Sequence, residues 1–322
     1  MISLHKIKQM KNMIRYGFIG GTQRGLELIR VLISKKYLPQ FSVILKEDDH
    51  EEIKCYDEIS ELMKSVSIDY TVKKKLDGED YGLIKKSELD FLLVFGWRTL
   101  IDPAVNDFLK FGSVAIHHSL LPLYRGFAPM QWAIINGEKE TGVTMFKINE
   151  GETDSGKIIM QKKIQIFPEE YALDVYNKTT KCTIEICLEF FENYRNNKIT
   201  LTDQDESKAT YCCKRTPEDG KIDWKKDSSE IYNLIRALAY PFTGAFCNFG
   251  DTRYHIRKAI QGESNNKKFT GIIPGRVIKI SNEGIEVLCG NGSILIKEWE
   301  NKRTGIVNCP SEITKSLSST LS

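Results

Sequence analysis

The chain has 322 residues, a formal net charge of +3 and an ordinary share of hydrophobic residues, 41%. This composition excludes a disordered or collagen-like chain, and no apolar run approaches the roughly 20 residues that span a membrane. The small net charge gives no argument for nucleic-acid binding by itself. The length is enough for two domains of about 100 to 200 residues each.

The basic first twelve residues, M-I-S-L-H-K-I-K-Q-M-K-N, lack the apolar segment and the small-residue cleavage site of a secretory signal. Eight cysteines are scattered along the chain with no C-x-x-C pair, which disfavours a structural zinc site. We therefore expect a cytoplasmic protein with reduced, mostly buried thiols, no bound metal and no membrane association. Residues 1–12 are expected to be a flexible extension.

Strands and helices alternate in the first part of the predicted structure. Apolar runs indicate strands at 14–19, 41–45, 89–97 and 112–117, and patterns of helical period indicate helices after the first three of them. The third helix, over 101–109, has Asp102 as its expected N-cap and Pro103 at its first position. The glycine turn after the first strand, G-G-T-Q-R-G, does not fit the dinucleotide fingerprint G-x-G-x-x-G. The alternation predicts an α/β, Rossmann-like domain with a largely parallel sheet, without an NAD site.

The pattern changes at about residue 200. Before that point we predict a helix over 130–137, strands over 141–148 and 157–166, a long helix over 171–196 and a polar linker over 197–209. Beyond it, a helix over 228–238 precedes short alternating strands separated by N-E and G-N-G turns, typical of a small antiparallel, OB-like β-barrel. The predicted divisions are a Rossmann-like domain at 13–200, a helix-plus-barrel domain at 201–304 and a flexible end at 305–322.

Two residues are candidates for chemistry. His117 ends the fourth predicted strand, next to the end of the third strand at Phe95 to Trp97, and ligands of open parallel sheets bind outside such carboxyl ends. A histidine there can act as a general acid or base, worth ~10²- to 10⁴-fold in rate, although a packed core histidine is the alternative. Because side chains alternate along a strand, only one of His117 and His118 should face the crevice, and we expect His117. Asp154, in the loop G-E-T-D-S-G, is either a turn residue or a carboxylate that orients this histidine.

A long block of sequence around His117 resembles a known family. The run H-H-S-L-L-P-L-Y-R-G-F-A-P, followed by D-S-G, resembles the signature N-x-H-x-S-L-L-P-x-x-R-G-x-x-P and D-x-G of formyltransferases that use N10-formyltetrahydrofolate. The downstream elements K-R-T-P-E-D-G-K-I-D-W, I-R-A-L, P-F-T-G-A-F and G-R-V-I resemble the C-terminal part of the same family. The resemblance covers the chain from about residue 14 to 300.

The resemblance implies a reaction and a set of residues. In that family an amine attacks the formyl carbon, a tetrahedral oxyanion forms, and tetrahydrofolate leaves. By position in the motif, His117 would be the catalytic histidine, which can stabilise the oxyanion when protonated, and Asp154 the catalytic carboxylate, which helps to remove the proton of the amine. The residues implied on the folate side are Phe95, Ser119, Leu120, Leu121, Pro122, Asn149, Glu150 and Gly151. Those implied to flank the substrate are Trp97, Arg98, Thr99, Leu100 and Ile101.

One position departs from the family pattern. The family's catalytic asparagine falls on Ala115, whose side chain neither donates nor accepts a hydrogen bond, and losing an oxyanion donor typically costs ~10² to 10³ in rate. The chain is then a natural variant that uses His117 and a backbone N–H, an enzyme disabled by substitution, or a homologue that binds folate or nucleotide without formylating. We expect the first of these, because the other motif blocks are intact.

The family divides chiefly between enzymes that formylate methionyl-tRNA and enzymes that formylate an amino sugar linked to a nucleotide. Three features favour the sugar branch: no basic, glycine-rich loop after V-I-L-K-E-D-D-H, Trp132 where the tRNA enzymes usually have arginine, and the run F-G-W-R-T-L-I. The weak net charge also argues against tRNA, which is bound by neutralising phosphates. We expect an amino sugar of surface-polysaccharide (lipopolysaccharide) synthesis as the substrate, with methionyl-tRNA as the alternative. The resemblance also suggests a homodimer.

A nucleotide-linked substrate needs a partner for its pyrophosphate and a platform for its base. Candidates for the first are Arg98, Arg125 and Arg236, for which a solvated surface position is the alternative. Candidates for the second are Tyr240 and Phe242 in A-Y-P-F-T-G, because aromatic faces stack on bases; core packing is the alternative for both.

Overall fold

The computed structural model describes residues 13–48, 53–150 and 152–322, so the predicted extension over 1–12 lies outside the described residues. The α-helices are α1 (Thr22–Ser34), α2 (Tyr56–Ser65), α3 (Gly78–Lys86), α4 (Pro129–Ile135), α5 (Ala172–Arg195) and α6 (Ser228–Leu238). The strands of the first part are β1 (Tyr16–Gly20), β2 (Phe41–Leu45), β3 (Asp69–Lys73), β4 (Phe91–Phe95), β5 (Gly112–His117), β6 (Arg125–Gly126), β7 (Glu140–Lys147), β8 (Ile158–Gln165) and β9 (Tyr211–Cys212). Those of the second part are β10 (Ala245–Phe249), β11 (Thr252–Gln261), β12 (Val277–Ser281), β13 (Gly284–Leu288), β14 (Ser293–Asn301) and β15 (Val307–Asn308).

The chain forms two compact units. The first comprises the residues up to Arg125 together with Gly142–Lys163 and Thr179–Thr210, and the second comprises Gly126–Thr141, Ile164–Lys178 and Tyr211–Ser322. The chain therefore passes between the units more than once, whereas the sequence suggests a single boundary at residue 200.

A seven-stranded sheet in the order β3-β2-β1-β4-β5-β7-β8 organises the first part of the fold. The pairs β1–β2, β2–β3, β1–β4 and β4–β5 are parallel, and β5–β7 is antiparallel. The order 3-2-1-4-5 is that of a Rossmann-like sheet, whose ligands bind at the carboxyl ends of the strands where the order reverses. The predicted α/β class, with a largely parallel sheet and a separate antiparallel one, is confirmed.

The glycines after β1 serve close packing between strand ends. A Cβ on Gly20 would lie 2.0 Å from the carbonyl oxygen of Phe95, at the end of β4. The backbone N–H of Gly21 donates to that same carbonyl at 3.2 Å. A side chain here would force β1 and β4 apart, so the turn needs glycine whether or not it meets a ligand.

Two elements differ from the sequence expectations. Strand β3 and helix α3 were not predicted, because the half-exposed run D-Y-T-V-K has no buried face and α3 is short; a capping box between Asp77 and Asp80 begins α3. The predicted helix over 101–109 is a 3₁₀-helix at Pro103–Phe108, although Asp102 caps it as expected, accepting from the N–H of Ala104 at 3.0 Å.

The second unit is built on an antiparallel sheet in the order β10-β11-β14-β13-β12, with β15 paired to β14. Its core contains the fully buried Trp299 and Ile256 from the sheet, together with Ile231 and Ile235 from α6. The alternation of apolar side chains that predicts these strands also fills this core.

The end of the chain is packed on this second sheet. Residues 305–322 are expected from sequence to be flexible, but Leu321 is 2% exposed and belongs to the core of the unit. Its N–H donates to the carbonyl of Gly275 at 2.8 Å, and Ser322 and Asn248 exchange backbone hydrogen bonds. The apolar side chain of Leu321 and these bonds hold the end in place, in spite of the polar composition around it.

All eight cysteines are free, and five of them are buried, as the sequence predicts. In the part of the chain that the structure describes, no helix is long and apolar enough to cross a bilayer. Over the same residues, no group of three or more histidine, cysteine, aspartate and glutamate side chains is arranged to hold a metal ion.

Candidate active site

His117 is anchored through one of its ring nitrogens. It ends β5 and is 8% exposed. Its Nε2 lies 2.7 Å from the carbonyl oxygen of Tyr124, and because a carbonyl only accepts, we assign the Nε2 proton as the donor of this bond. Ser119 donates from Oγ to the carbonyl of Leu123 at 2.6 Å, so that the S-L-L-P-L-Y run turns back and returns Tyr124 to the histidine. The other nitrogen, Nδ1, is not used by this anchor.

Asp154 faces that other nitrogen. Its Oδ2 lies 3.5 Å from Nδ1 of His117, and its side chain is 16% exposed. The backbone of Asp154 is in the left-handed region, with φ of 59°, a conformation that occurs in non-glycine residues mainly at turns and functional sites. Both ring nitrogens of His117 therefore face acceptors, and a protonated ring can donate to both of them.

The glycine of the D-S-G motif brings the loop close to β7. A Cβ on Gly156 would lie 1.7 Å from the carbonyl oxygen of Lys147, the last residue of β7, and 3.2 Å from Oδ1 of Asn149. No other residue type fits at this distance without displacing the loop that carries Asp154.

Ala115 lies two residues before His117 on β5, and therefore on the same face of the sheet. It pairs with Val94 on β4 and with Phe146 on β7. Ala115 and Trp97 both pack against the same apolar cluster, which contains Val94. Ala115 therefore presents a small apolar side chain on the face of β5 that carries His117.

Two buried donors follow the end of β4. Among the residues that the structure describes, Nε1 of Trp97 and Oγ1 of Thr99 have no hydrogen-bond partner. Most buried polar atoms in proteins are paired, so these two donors could bind a ligand. Of the other residues expected here, Arg98 forms an exposed ion pair with Asp48 at 3.7 Å, Leu100 is 80% exposed, and Ile101 belongs to the core.

The residues predicted on the folate side are held against β7 and β8. The carbonyl of Ser119 accepts from Oγ1 of Thr144 at 2.7 Å, and the carbonyl of Leu121 accepts from Nε2 of Gln161 at 3.0 Å. Ser119 and Leu121 are buried, whereas Leu120 and Pro122 are half-buried. Asn149 and Glu150 are exposed, and Gly151 lies outside the described residues.

Arg125 is fully buried in the first unit rather than exposed to solvent. Its guanidinium forms a two-pronged pair with Glu206, with N–O distances of 2.6 and 2.8 Å, and also donates to Oε1 of Gln204. The guanidinium lowers the pKa of Glu206. This arrangement favours a structural position for Arg125, and its assignment to pyrophosphate stays a prediction.

Three other predicted substrate residues belong to the second unit. Arg236 is buried there, donates to the carbonyls of Phe167 and Glu170 at 3.2 and 3.0 Å, and has its pKa lowered by burial. Phe242 is half-buried and packs against the core of the unit, whereas Tyr240 is 61% exposed. Of the three, Tyr240 has the exposed ring that stacking on a base requires.

His118, next to the candidate histidine, has different surroundings. Its Nδ1 accepts from the guanidinium of Arg24 at 2.6 Å, and its Nε2 lies 3.2 Å from Oγ1 of Thr183 on α5. The ring of Phe95, predicted on the folate side, meets His118 edge-on at 5.5 Å. Desolvation and the positive charge of Arg24 lower the pKa of His118 well below its usual value. His118 is therefore a packed, neutral histidine, and its hydrogen-bond partners differ from those of His117.

Sequence reasoning did not find the contacts that support the site. The Tyr124 carbonyl and the Gln204 amide are not ionisable; Tyr124 occupies a variable position of the long motif, and Gln204 lies outside it. The only hint is the R-G of the long motif, because Arg125 is joined to Gln204 and directly follows Tyr124.

The site and the fold match a known family over most of the chain. Residues 34–190 match the formyl transferase family, and residues 214–310 match the formyl transferase C-terminal domain. The chain is 30% identical over 298 residues to a methionyl-tRNA formyltransferase of Mycoplasma capricolum, a match that covers 91% of this chain and 92% of the relative. The chain belongs to the formyl transferase family and is an N-formyltransferase.

Solved structures with this fold include a sugar formyl transferase and a second N-formyltransferase. WlaRD, a sugar 3N-formyl transferase solved with dTDP and 5-N-formyl-tetrahydrofolate, superposes with a TM-score of 0.65 at 21% identity, covering 88% of this chain and 97% of its own. The N-formyltransferase of Helicobacter canadensis, in complex with folinic acid and dTDP-3-aminofucose, gives a TM-score of 0.65 at 19% identity, covering 88% and 99%. At these identities the likeness shows a shared fold.

Proposed function

We propose that this formyltransferase transfers the formyl group of N10-formyltetrahydrofolate to the amino group of a nucleotide-linked amino sugar, with His117 and Asp154 as its catalytic residues. The observation that carries the chemistry is the contact of 3.5 Å between Nδ1 of His117 and Oδ2 of Asp154 at the carboxyl end of β5. An anchored histidine beside a partly buried carboxylate is the arrangement that general acid–base catalysis requires.

Several of the predicted site residues suit a folate. Half-buried Leu120 and Pro122 offer apolar contact to a flat pterin ring, and the buried hydroxyl of Thr99, which has no hydrogen-bond partner among the described residues, can bond to a polar edge of that ring. When bound, the folate supplies the formyl carbon.

The contacts of His117 support different tasks for its two ring nitrogens. Nε2 is occupied by the Tyr124 carbonyl, so it fixes the ring, and Nδ1 is the nitrogen that faces the reacting groups. A proton on Nδ1 can stabilise negative charge on the formyl oxygen, as an oxyanion donor does. The Asp154 carboxylate can stabilise that positive ring and, directly or through a water, accept the proton lost by the amine. When the bond between the formyl carbon and N10 breaks, the departing nitrogen of tetrahydrofolate takes up that proton, so the transfer balances.

The charge distribution of the second unit supports a small substrate over tRNA. A protein that binds tRNA gains affinity by neutralising phosphates with free lysine and arginine side chains. Here many of the basic side chains of that unit already face carboxylates, in the ion pairs Lys226–Glu230, Arg253–Glu218, Arg257–Glu300, Lys258–Glu298, Lys279–Glu263 and Lys297–Glu283.

The test is a direct assay of acceptors. The protein is incubated with N10-formyltetrahydrofolate and, in turn, with a panel of nucleotide-linked amino sugars and with charged initiator tRNA, and formylated product is measured by mass spectrometry. We expect transfer to at least one nucleotide-linked amino sugar and its loss in Asp154→Asn. Transfer to tRNA alone would overturn the proposed substrate and leave the chemistry intact, and no transfer to any acceptor would contradict both.

A second candidate is formylation of methionyl-tRNA. The observation that favours it is the 30% identity to the Mycoplasma methionyl-tRNA formyltransferase over nearly the whole of both chains. If this substrate is the right one, transfer should weaken steeply as salt is raised, because tRNA binding depends on phosphate neutralisation. A nucleotide sugar with two phosphates should show a much smaller salt dependence.

A further inference from the structure

The segment from Thr202 to Thr210, called here the strap, is an ordered part of the first unit. The polar sequence of these residues predicts a linker, but Thr202 pairs with Ile158 through two backbone hydrogen bonds of 2.8 and 2.9 Å. At the other end of the strap, Thr210 accepts from the N–H of Tyr124 through Oγ1 and from the N–H of Arg125 through its carbonyl, both at 2.8 Å. The strap is therefore tied to the residues that anchor His117.

The amide of Gln204, within the strap, has its orientation fixed by Arg125. Oε1 of Gln204 accepts from the guanidinium at 2.8 and 3.3 Å, and an arginine can only donate. The NH₂ group must therefore point away from Arg125. It donates to the carbonyl of Asp154 and to the carbonyl of Gly156, both at 2.7 Å.

Arg125 can fix the amide because it is itself held. It is fully buried, and the two carboxylate oxygens of Glu206 accept from its NH1 and NH2 groups at 2.8 and 2.6 Å. A two-pronged pair of this kind restricts both direction and distance. Arg125, Gln204 and Glu206 thus form a support for the D-S-G loop. Gln204 bonds to the two carbonyls that flank Ser155, and Arg125 also lies 3.8 Å from the carboxylate of Glu152 in the same loop.

We propose that Gln204 is a positioning residue for catalysis: it holds the left-handed Asp154 backbone so that the carboxylate stays within reach of Nδ1 of His117. This inference rests on the proposed roles of His117 and Asp154. The same strap holds both neighbours of His117, the Tyr124 carbonyl through Thr210 and the Asp154 loop through Gln204. Because a displacement of about 1 Å in a reacting group can cost ~10²-fold in rate, loss of the two amide bonds should be visible in turnover.

The main test is Gln204→Glu. The carboxylate keeps an acceptor for Arg125 and nearly the same shape, but it removes the NH₂ donor and places a negative oxygen opposite two carbonyls. We expect kcat to fall about 10- to 100-fold, KM for the folate to change less than about threefold, and the melting temperature to stay near that of the parent. Asp203→Asn is the matched control, since Asp203 is in the strap but pairs with the exposed Lys157; it should leave kcat within about twofold. Gln204→Met, which has similar length and no donor, replaces the glutamate variant if that variant unfolds.

A double-mutant cycle separates positioning from general support. If Gln204 acts through Asp154, then adding Gln204→Glu to Asp154→Asn should lower kcat almost no further. Three outcomes would overturn the inference: a further fall in kcat of about 10-fold or more in the Asp154→Asn background, an unchanged kcat in the single Gln204→Glu variant, or unfolding of both Gln204 variants. None of these outcomes contradicts the proposed function. That function is tested separately, by formyl transfer in the parent chain and by loss of formyl transfer in Asp154→Asn.

Discussion

The two adjacent histidines of the H-H-S-L-L-P motif lie in opposite kinds of environment. Nδ1 of His117 faces the Asp154 carboxylate at 3.5 Å, whereas Nδ1 of His118 accepts from the Arg24 guanidinium at 2.6 Å. A carboxylate stabilises a positive imidazole, and a guanidinium opposes it. Adjacent residues of the chain therefore place their rings beside charges of opposite sign, and the pKa of His118 is lowered well below its usual value.

This difference shows what makes a histidine a catalytic candidate. Both rings are next to the end of β5 and both have hydrogen-bond partners, so neither position nor pairing distinguishes them. What distinguishes them is the sign of the charge beside Nδ1 and the type of partner on the other nitrogen. The following changes test that distinction, beginning with the largest expected effect.

Asp154→Asn removes the charge that sets His117 apart. We expect kcat to fall ~10²- to 10⁴-fold, the usual range for loss of a group in acid–base catalysis, measured by formyl transfer under saturating substrates. Thr183→Val is the matched control, because it removes the partner of His118 on α5 and leaves the Asp154 side untouched. Equal losses in the two variants would contradict the separation of roles.

Gly156→Ala displaces Asp154 without changing any charge. The new Cβ would lie 1.7 Å from the carbonyl of Lys147, so the loop must move, and we expect a loss in kcat of about 10²-fold. Gly78→Ala is the control, since a Cβ on Gly78 meets nothing within 4 Å. Near-parent turnover in Gly156→Ala would show that the distance between Asp154 and His117 is not limiting.

The sequence predicts the two histidines better than it predicts what holds them. Strand alternation separates His117 from His118, and the D-S-G resemblance finds Asp154, because both signals are local. The contacts that hold Asp154 in place cannot be predicted from the sequence. Gln204 bonds to Asp154 across 50 positions of the chain, and Arg125 pairs with Glu206 across 81 positions. From sequence alone, the polar strap is predicted to be a linker and Arg125 to be an exposed cation. Sequence pattern does not reveal a hydrogen-bond partner that lies many residues away along the chain.

His118 should make folding stability depend on pH. Its pKa is lowered well below the usual value in the folded protein, so below about pH 6.5 the unfolded chain binds a proton that the folded chain does not. Stability should fall with decreasing pH by up to about 1.4 kcal/mol per unit from this group, from about pH 6.5 down to its folded pKa. Chemical denaturation of the parent and of His118→Gln between pH 7.5 and 5.5 should give a shallower pH slope for the variant. Parallel slopes would show that His118 is not the group responsible.

Ala115→Asn tests whether the His117 side lacks a donor. An amide at this position adds the group found in the family motif, and a missing oxyanion donor is worth ~10² to 10³ in rate. Ala115 and Trp97 pack against one apolar cluster, and the buried N–H of Trp97 has no hydrogen-bond partner among the described residues. We therefore expect this indole to supply a donor and the asparagine to raise kcat less than about tenfold. Trp97→Phe should then lower kcat, and Ala115→Asn should restore part of that loss when the two are combined. A rise in kcat of about 10²-fold or more from Ala115→Asn alone would mean that alanine disables the site. The contrast between His117 and His118 would then belong to a formyltransferase that lacks its oxyanion donor.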